Sequence, residues 1–253
     1  MSKLYIVQPN DTLAQIVARE CPGASWRQVA LDNEIRNPDL IFVGQQLNLN
    51  CVPIIPDDTP ASAADTAHLV VPFYSQEDQD AKRSGTDCGP TSLRMVIGWK
   101  RLASGQVDIP APTVDDIWDG LRDAHGNPIP PGQFISMSQL RSISPQYNLT
   151  LIERLDATTE VIQEEIDAGR PVIMLCHYGS YTGSMSPFKG GHILVVVGYS
   201  PTHIIVNDPL WWGTLRSGGD GRHILRREFE AAIDSSNTKL DGNPGNVGLF
   251  VQP

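Results

Sequence analysis

The chain has 253 residues, 40% of them apolar, with 22 glycines and 20 prolines. That suffices for one large or two small domains with cores of their own and excludes collagen, coiled coil and wholesale disorder. Its 29 acidic against 19 basic side chains leave a formal charge of −10, so phosphate backbones and anionic lipid would repel it and no nucleic-acid partner is expected.

The opening MSKLYIVQPNDTL carries no apolar h-region and no small-residue cleavage site, and it does not read as a secretory signal. The expectation is synthesis in the cytoplasm, with any action at the cell wall or outside the cell reached by a non-classical or injection route. No apolar run approaches the roughly 20 residues of a membrane helix, so no membrane span is expected. Leu4 to Val7 reads as a short strand. Asp11 or Thr12 can cap a helix running to about Arg19, Ser25 can cap a second helix with Trp26, Val29 and Leu31, and Gln46 to Leu49 closes the unit as a second strand. Cys21 and Cys51 bracket this unit and can be bridged in an oxidising compartment. From Cys51 the composition turns to proline, alanine, aspartate and threonine without apolar period, which marks a linker. The expected organisation is a module over 1–50, a linker over 51–69 and a larger domain over 70–253.

The strand-helix-helix-strand order, with YIVQPNDTLAQIVARE at one end and NEIRNPDLIFVGQQLNL at the other, resembles the LysM module. LysM modules bind N-acetylglucosamine glycans such as peptidoglycan or chitin in a shallow groove. The resemblance sets Asp11, Thr12, Leu13, Pro38, Asp39, Leu40 and Ile41 beside that groove. Asn10 stands where the family usually has glycine, and asparagine tolerates the left-handed turn. A LysM that docks protein or acts as a tether is the alternative.

In the larger domain VVPFYSQ reads as a strand running into a loop, followed by a polar, turn-rich stretch and then CGPTSLRMVIGWKRL, a buried helix with Pro90 in its first turn. Cys88 thus lies at a helix amino end, where orphan N–H groups and the macrodipole favour a thiolate. The long, proline-rich stretch from Ala103 to Thr150 resists assignment and can build a substrate wall. Further on, a helix capped near Thr158 or Thr159 and ended by Gly169 precedes a buried strand from Pro171 to Leu175, which Cys176 continues.

Of the histidines, His68 falls in the linker, His125 in a turn and His223 in a charged stretch, which leaves His177, His192 and His203. Two β-branched runs, Ile193 to Val197 and Ile204 to Asn207, form a hairpin. A turn centred on Ser200 pairs His192 directly with Asp208, their Cβ atoms about 5 Å apart. The aspartate can then fix the imidazole tautomer and leave the other nitrogen to take a proton from a thiol. A one-residue slip would put the two on opposite faces. Gln76 can offer an oxyanion donor beside a backbone N–H near Cys88. Trp211 and Trp212 can shield this group, line a cleft or pack in the core. Gly190 and Gly191 can admit a substrate backbone or serve a tight strand entry. A zinc site from Cys88, Cys176, His177 and His192 lacks paired-ligand spacing, and neither metal nor cofactor is expected.

VPFYSQ, DCGPTSLRMV, GGHILVVVGY and VNDP, in this order, resemble the landmarks of papain-like cysteine peptidases related to the bacteriocin-leader, or double-glycine, peptidases. The resemblance implies Cys88 as nucleophile, His192 as general base, Asp208 as orienter and Gln76 as oxyanion donor. It also implies an α+β fold in which a helical part carrying the nucleophile packs on an antiparallel sheet. The expected function is hydrolysis of peptide or protein amide bonds through a thioester, with the LysM module directing the enzyme to cell-wall glycan. The alternatives are a peptidoglycan stem-peptide endopeptidase or amidase, a secreted effector toxin, and a non-catalytic LysM binding protein. Deamidation and acyl transfer share the same thioester.

Overall fold

A computed structural model describes residues 2–9, 11–21, 29, 33, 35, 41–51, 66–77, 84–106, 108–130, 132–180, 188–211, 213–234 and 245–253. The chain divides into two compact units, the first ending near residue 61.

In the first unit β1 (Ser2–Ile6) and β2 (Gln46–Asn50) form an antiparallel pair, with Leu4 opposite Asn48. Between them α1 (Leu13–Glu20) starts where the Thr12 hydroxyl accepts from the Gln15 N–H. That satisfies one of the donors a helix start leaves unpaired. Its apolar stripe, Leu13, Ile16 and Val17, packs with Val7, Val29, Leu47 and Leu49 into a small core. A disulfide joins Cys21 and Cys51 across the base of this core. Of the expected second helix only Val29 is described, helical and buried; Ser25, Trp26 and Leu31 lie outside the described residues.

The second unit is built on a seven-stranded antiparallel sheet. Its strands are β3 (Ala67–His68), β4 (Leu151–Arg154), β5 (Val172–His177), β6 (Gly191–Tyr199), β7 (His203–Asn207), β8 (Arg222–Leu225) and β9 (Gly248–Val251). They lie in the order β4-β9-β5-β6-β7-β8, with β3 added on β6. Ala67 and His68 pair with Tyr199 and Gly198, and the Leu69 N–H continues onto the Val197 carbonyl at 2.7 Å. The linker expected to reach residue 69 therefore ends before Ala67. The strand expected over 70–76 is instead extended chain without a ladder, bonded singly to the end of β7 and beyond it, from the Asn207 side chain to the Val71 carbonyl and from the Gln76 N–H to the Pro209 carbonyl.

Helices α2 (Cys88–Ala103), α3 (Val114–Gly120) and α4 (Met137–Ile143) pack on one face of the sheet, against Ile173, Leu175, Ile193, Val195 and Val197. Helices α5 (Thr159–Asp167) and α6 (Arg226–Asp234) cover the other, against Met174, Leu194, Val196 and Val206. Alternate residues of β6 thus enter different cores, and both are buried. This explains why the strand reads as an unbroken apolar run rather than as alternation. Thr113 and Ser136 start α3 and α4 with capping boxes, and Thr158 caps α5. Among the described residues no helix is long and apolar enough to cross a membrane.

Candidate active site

Cys88 opens α2. A short 3₁₀ turn, Ser84–Thr86, delivers the chain to Asp87, whose carbonyl accepts the first helical bond from Thr91 at 2.9 Å. The Asp87 carboxylate is buried and takes the Trp118 indole N–H at 2.7 Å, which fixes the helix start from the α3 side. From the sheet side, the Ser92 hydroxyl donates to the Ile193 carbonyl at 3.1 Å. A Cβ on Gly89 would lie 3.2 Å from both Ile193 and Leu140, so this first turn sits hard against the residue that follows His192. Cys88 is half-buried.

His192 and Asp208 meet, but not by the register expected. The turn closes from the Ser200 N–H onto the His203 carbonyl, and a bulge at Val197 then shifts the ladder, so that Val196 faces Val206 and Val195 faces Asn207. Continued, this ladder sets Asp208 opposite Leu194, as a diagonal neighbour of His192. The offset is even, so both side chains keep the same face and remain in reach. β7 ends at Asn207, and the freed Asp208 accepts from His192 Nε2–H at 2.8 Å. The Cys88 sulfur also acts on the imidazole and helps to raise its pKa. Tyr178 lies edge-on to the ring at 4.7 Å.

Asp208 is fully buried and takes four donors. Oδ1 accepts from His192 and from the Leu210 N–H at 3.1 Å, Oδ2 from Trp211 Nε1–H at 3.2 Å and from Arg222 at 2.8 Å. Burial alone would raise its carboxyl, but the charges of His192 and Arg222 and these hydrogen bonds hold it below the usual range. For His192, burial works to lower the imidazole, and the Asp208 carboxylate followed by the Cys88 sulfur outweigh it, so that it is pushed up to about 9. Such an arrangement favours a protonated imidazole between a carboxylate and a sulfur.

Gln76 is buried, and its backbone N–H donates to the Pro209 carbonyl at 2.9 Å, beside Asp208. Cys176 is buried opposite His192 in the sheet with its thiol on the His192 carbonyl at 3.4 Å, and the two His177 nitrogens meet the Ser180 hydroxyl and the Lys189 carbonyl. Among the described residues no group of three or more His, Cys, Asp or Glu could hold a metal ion. Gly190 is accounted for by the Phe188 ring, which a Cβ would approach to 2.4 Å. Trp212 lies outside the described residues. His203 begins β7 half-buried, with its ring 5.7 Å from that of His223.

Beside Cys88 opens a cleft of about 150 Å³, lined by Gly89, Phe134, Ile135, Met137, Leu175 and Gly191 among others. Three of these come from the proline-rich stretch that resisted assignment. The side chains that sequence reasoning missed are Phe134, Ile135, Met137 and Arg222. No spacing rule marks them, since they enter through a loop, the first residue of α4 and a distant edge strand.

Residues 68–231 match the model of the Peptidase_C39 like family, and residues 5–50 match that of the LysM domain. The chain belongs to the Peptidase_C39 like family and carries an amino-terminal LysM domain. No curated protein matches it. Among solved structures, a C39-like peptidase from Bacillus anthracis is 15% identical, with 74% of this chain and 98% of that one covered at a TM-score of 0.48. Xylellain, a cysteine protease from Xylella fastidiosa, is 14% identical, with 76% and 89% covered at 0.45. The peptidase domain of Streptococcus ComA is 13% identical, with 72% and 97% covered at 0.44.

In the LysM domain the residues expected beside a glycan groove divide. The Asp11 carboxylate accepts from the Tyr5 hydroxyl at 2.6 Å and the Gln8 N–H at 2.8 Å, and Thr12 caps α1. Leu13 is 1% exposed and belongs to the core, which corrects its placement as a groove contact: the first helical position points its side chain inwards here. Ile41 packs partly against the same core. Pro38, Asp39 and Leu40 lie outside the described residues. Phe42 and Val43, at the turn before β2, are exposed.

Proposed function

We propose that the protein is a cysteine peptidase that hydrolyses peptide amide bonds, with its LysM domain retaining it on N-acetylglucosamine glycan. The observation that carries this reading is the buried, hydrogen-bonded His192–Asp208 pair, whose imidazole also interacts with a half-exposed Cys88 at the start of a helix. A cysteine kept for packing needs neither a buried imidazole partner nor a cleft at its side.

In this reading the Cys88 thiolate attacks the amide carbonyl carbon while His192 holds the proton. The carbonyl oxygen becomes an oxyanion, received by the Gln76 side-chain amide and the Cys88 backbone N–H. His192 passes its proton to the departing amine as the C–N bond breaks, leaving a thioester on Cys88. Neutral His192 then takes a proton from water, the hydroxide adds to the thioester, and the acid product leaves with the thiolate restored. Asp208 stays ionised throughout and keeps the imidazole oriented.

The LysM domain favours peptide stems of peptidoglycan as the substrate within this class. The Cys21–Cys51 disulfide supports work outside a reducing cytoplasm. Purified sacculi and an unstructured protein, digested in parallel with the wild-type chain and with Cys88→Ala, test both points by mass spectrometry of new termini. New termini that depend on Cys88 are expected, and their absence from both substrates would remove the peptidase reading.

A further inference from the structure

A carboxylate that only oriented His192 would need one good contact, yet Asp208 has a second cation against its far oxygen. Arg222 reaches Oδ2 at 2.8 Å with a side chain only 9% exposed. Its base is fixed: it pairs with Val206 on β7, and the adjoining Gly221 N–H is held by the Asn207 side chain at 2.9 Å. The guanidinium lies 5.2 Å from the Trp211 ring centre, and Trp211 is seated in a notch where Gly218 and Gly219 have no side chain. A Cβ there would come within 2.3 and 2.7 Å of it. Around Asp208 the groups that face it are His192 from β6, Arg222 from β8, and the Leu210 and Trp211 N–H of its own segment.

We propose that Arg222 is a positioning residue of the active site, holding Asp208 ionised and turned towards His192, with Trp211 shielding their contact from water. The inference rests on the roles assigned above to Cys88, His192 and Asp208. Its reason lies in the reaction cycle. Once His192 has given its proton to the departing amine it is neutral, and Asp208 would be a buried anion beside an uncharged ring, a costly state. Arginine does not deprotonate in proteins, so Arg222 supplies a cation that is constant through both halves of the cycle.

The test needs no substrate. Alkylation of Cys88 by iodoacetamide, followed site by site by mass spectrometry between pH 4 and 9, is compared in the wild type, Arg222→Gln and Arg222→Lys, each checked for folding by near-ultraviolet circular dichroism. Loss of a cation beside a carboxylate raises its pKa. The acid limb of Cys88 reactivity is therefore expected to move to higher pH in Arg222→Gln, and Arg222→Lys is expected to recover most of the shift. A folded Arg222→Gln with its limb in place would overturn the proposal, as would a Lys variant no better than Gln; a merely structural role would lower reactivity evenly across the range. Should Arg222→Gln fail to fold, Trp211→Phe removes one donor to Oδ2 and keeps a ring over the contact. A smaller shift in the same direction is expected there, and an unmoved limb overturns the proposal. If wild-type Cys88 reacts no faster than Cys88 in His192→Ala at pH 6, the trio itself fails; if it does react faster, only the role of Arg222 is at stake.

Discussion

Each unit of this protein contains an aspartate surrounded by donors, and the two differ in depth. Asp11 in the LysM domain is held by Tyr5, by the Gln8 N–H and at 3.4 Å by Arg19, whose side chain is 53% exposed. Asp208 in the peptidase domain is held by an imidazole, an amide, an indole and a guanidinium, with no exposure at all. Both carboxyls lie below their usual range. For Asp11 the chief cause is the Tyr5 hydrogen bond; for Asp208 neighbouring charge has to overcome burial first. Similar partners thus tie a loop to a helix at the surface and tune a reactive pair in the interior, because low polarity magnifies each interaction and each loss.

The largest effect is expected from removing the buried member. Asp208→Ala leaves Arg222 and His192 without their anion and should cost about 3–5 kcal/mol of the peptidase domain's stability in denaturant unfolding. Asp208→Asn, which keeps the shape but offers the wrong hydrogen-bond partner, should slow peptide hydrolysis by about 10⁴-fold. Asp11→Ala should affect only the transition of the LysM domain, and by much less. Comparable losses from the two alanine variants would break the contrast.

The next effect is one of pH. His192 is held at about 9 against 6.5 for an unperturbed imidazole. Its contribution is therefore complete below about pH 6.5 and is lost as pH rises through 9, by about 3 kcal/mol in all. The depressed Asp208 carboxyl acts in the opposite sense, contributing at neutral pH and losing that contribution as pH falls through the acid range. Urea unfolding of the peptidase domain at pH 6 and pH 9.5 should show the alkaline loss in the wild type and not in His192→Ala. An equal loss in both would sink the coupling.

Helices α1 and α5 were legible because their starts obey local chemistry, Thr12 and Thr158 each accepting a backbone N–H within one turn. Helices α3 and α4, which Thr113 and Ser136 cap in the same way, lie in the proline-rich stretch that resisted assignment, and α6 was not foreseen. Cys88 at a helix start was legible from Pro90 in the first turn and the apolar surface behind it, since Asp87 makes no side-chain cap, and His192 near Asp208 through the buried hairpin. The bulge at Val197 was not: no local signal marks it, and it lies beside Gly198, where β3 pairs with β6 through residues far apart in sequence. That the His192–Asp208 pair survived the register error follows from parity alone. Arg222 was illegible, as an arginine in a charged stretch carries no mark of the buried carboxylate it will meet.

Of intermediate size is the loss of the staple in the smaller unit. Reducing Cys21–Cys51, or replacing both by serine, frees the ends of a segment with a separation of 30 residues and should cost about 2–4 kcal/mol. Calorimetry with and without reductant should lower the LysM transition and leave the peptidase transition and Cys88 alkylation where they are. A peptidase transition that moved as well would show the two units to be one cooperative body.

The smallest effect concerns how the larger unit holds its shape without a staple. Gly198 lies where β3 crosses β6, and a Cβ there would meet the Ala67 carbonyl oxygen at 2.4 Å and the His68 Cα at 3.0 Å. Both are backbone atoms and cannot rotate away, so Gly198→Ala must push β3 outwards or distort the bulge. The expected cost is about 1–3 kcal/mol, the range for overpacking a dense interior, with faster hydrogen exchange at Leu69, whose N–H bonds to Val197. Gly85→Ala, at an exposed glycine with nothing within 4 Å, is the control and should be close to neutral. If Gly198→Ala were as silent as Gly85→Ala, β3 would be an ornament on the sheet. The bulge that brings Asp208 to His192 would then need a cause within the β6–β7 hairpin itself.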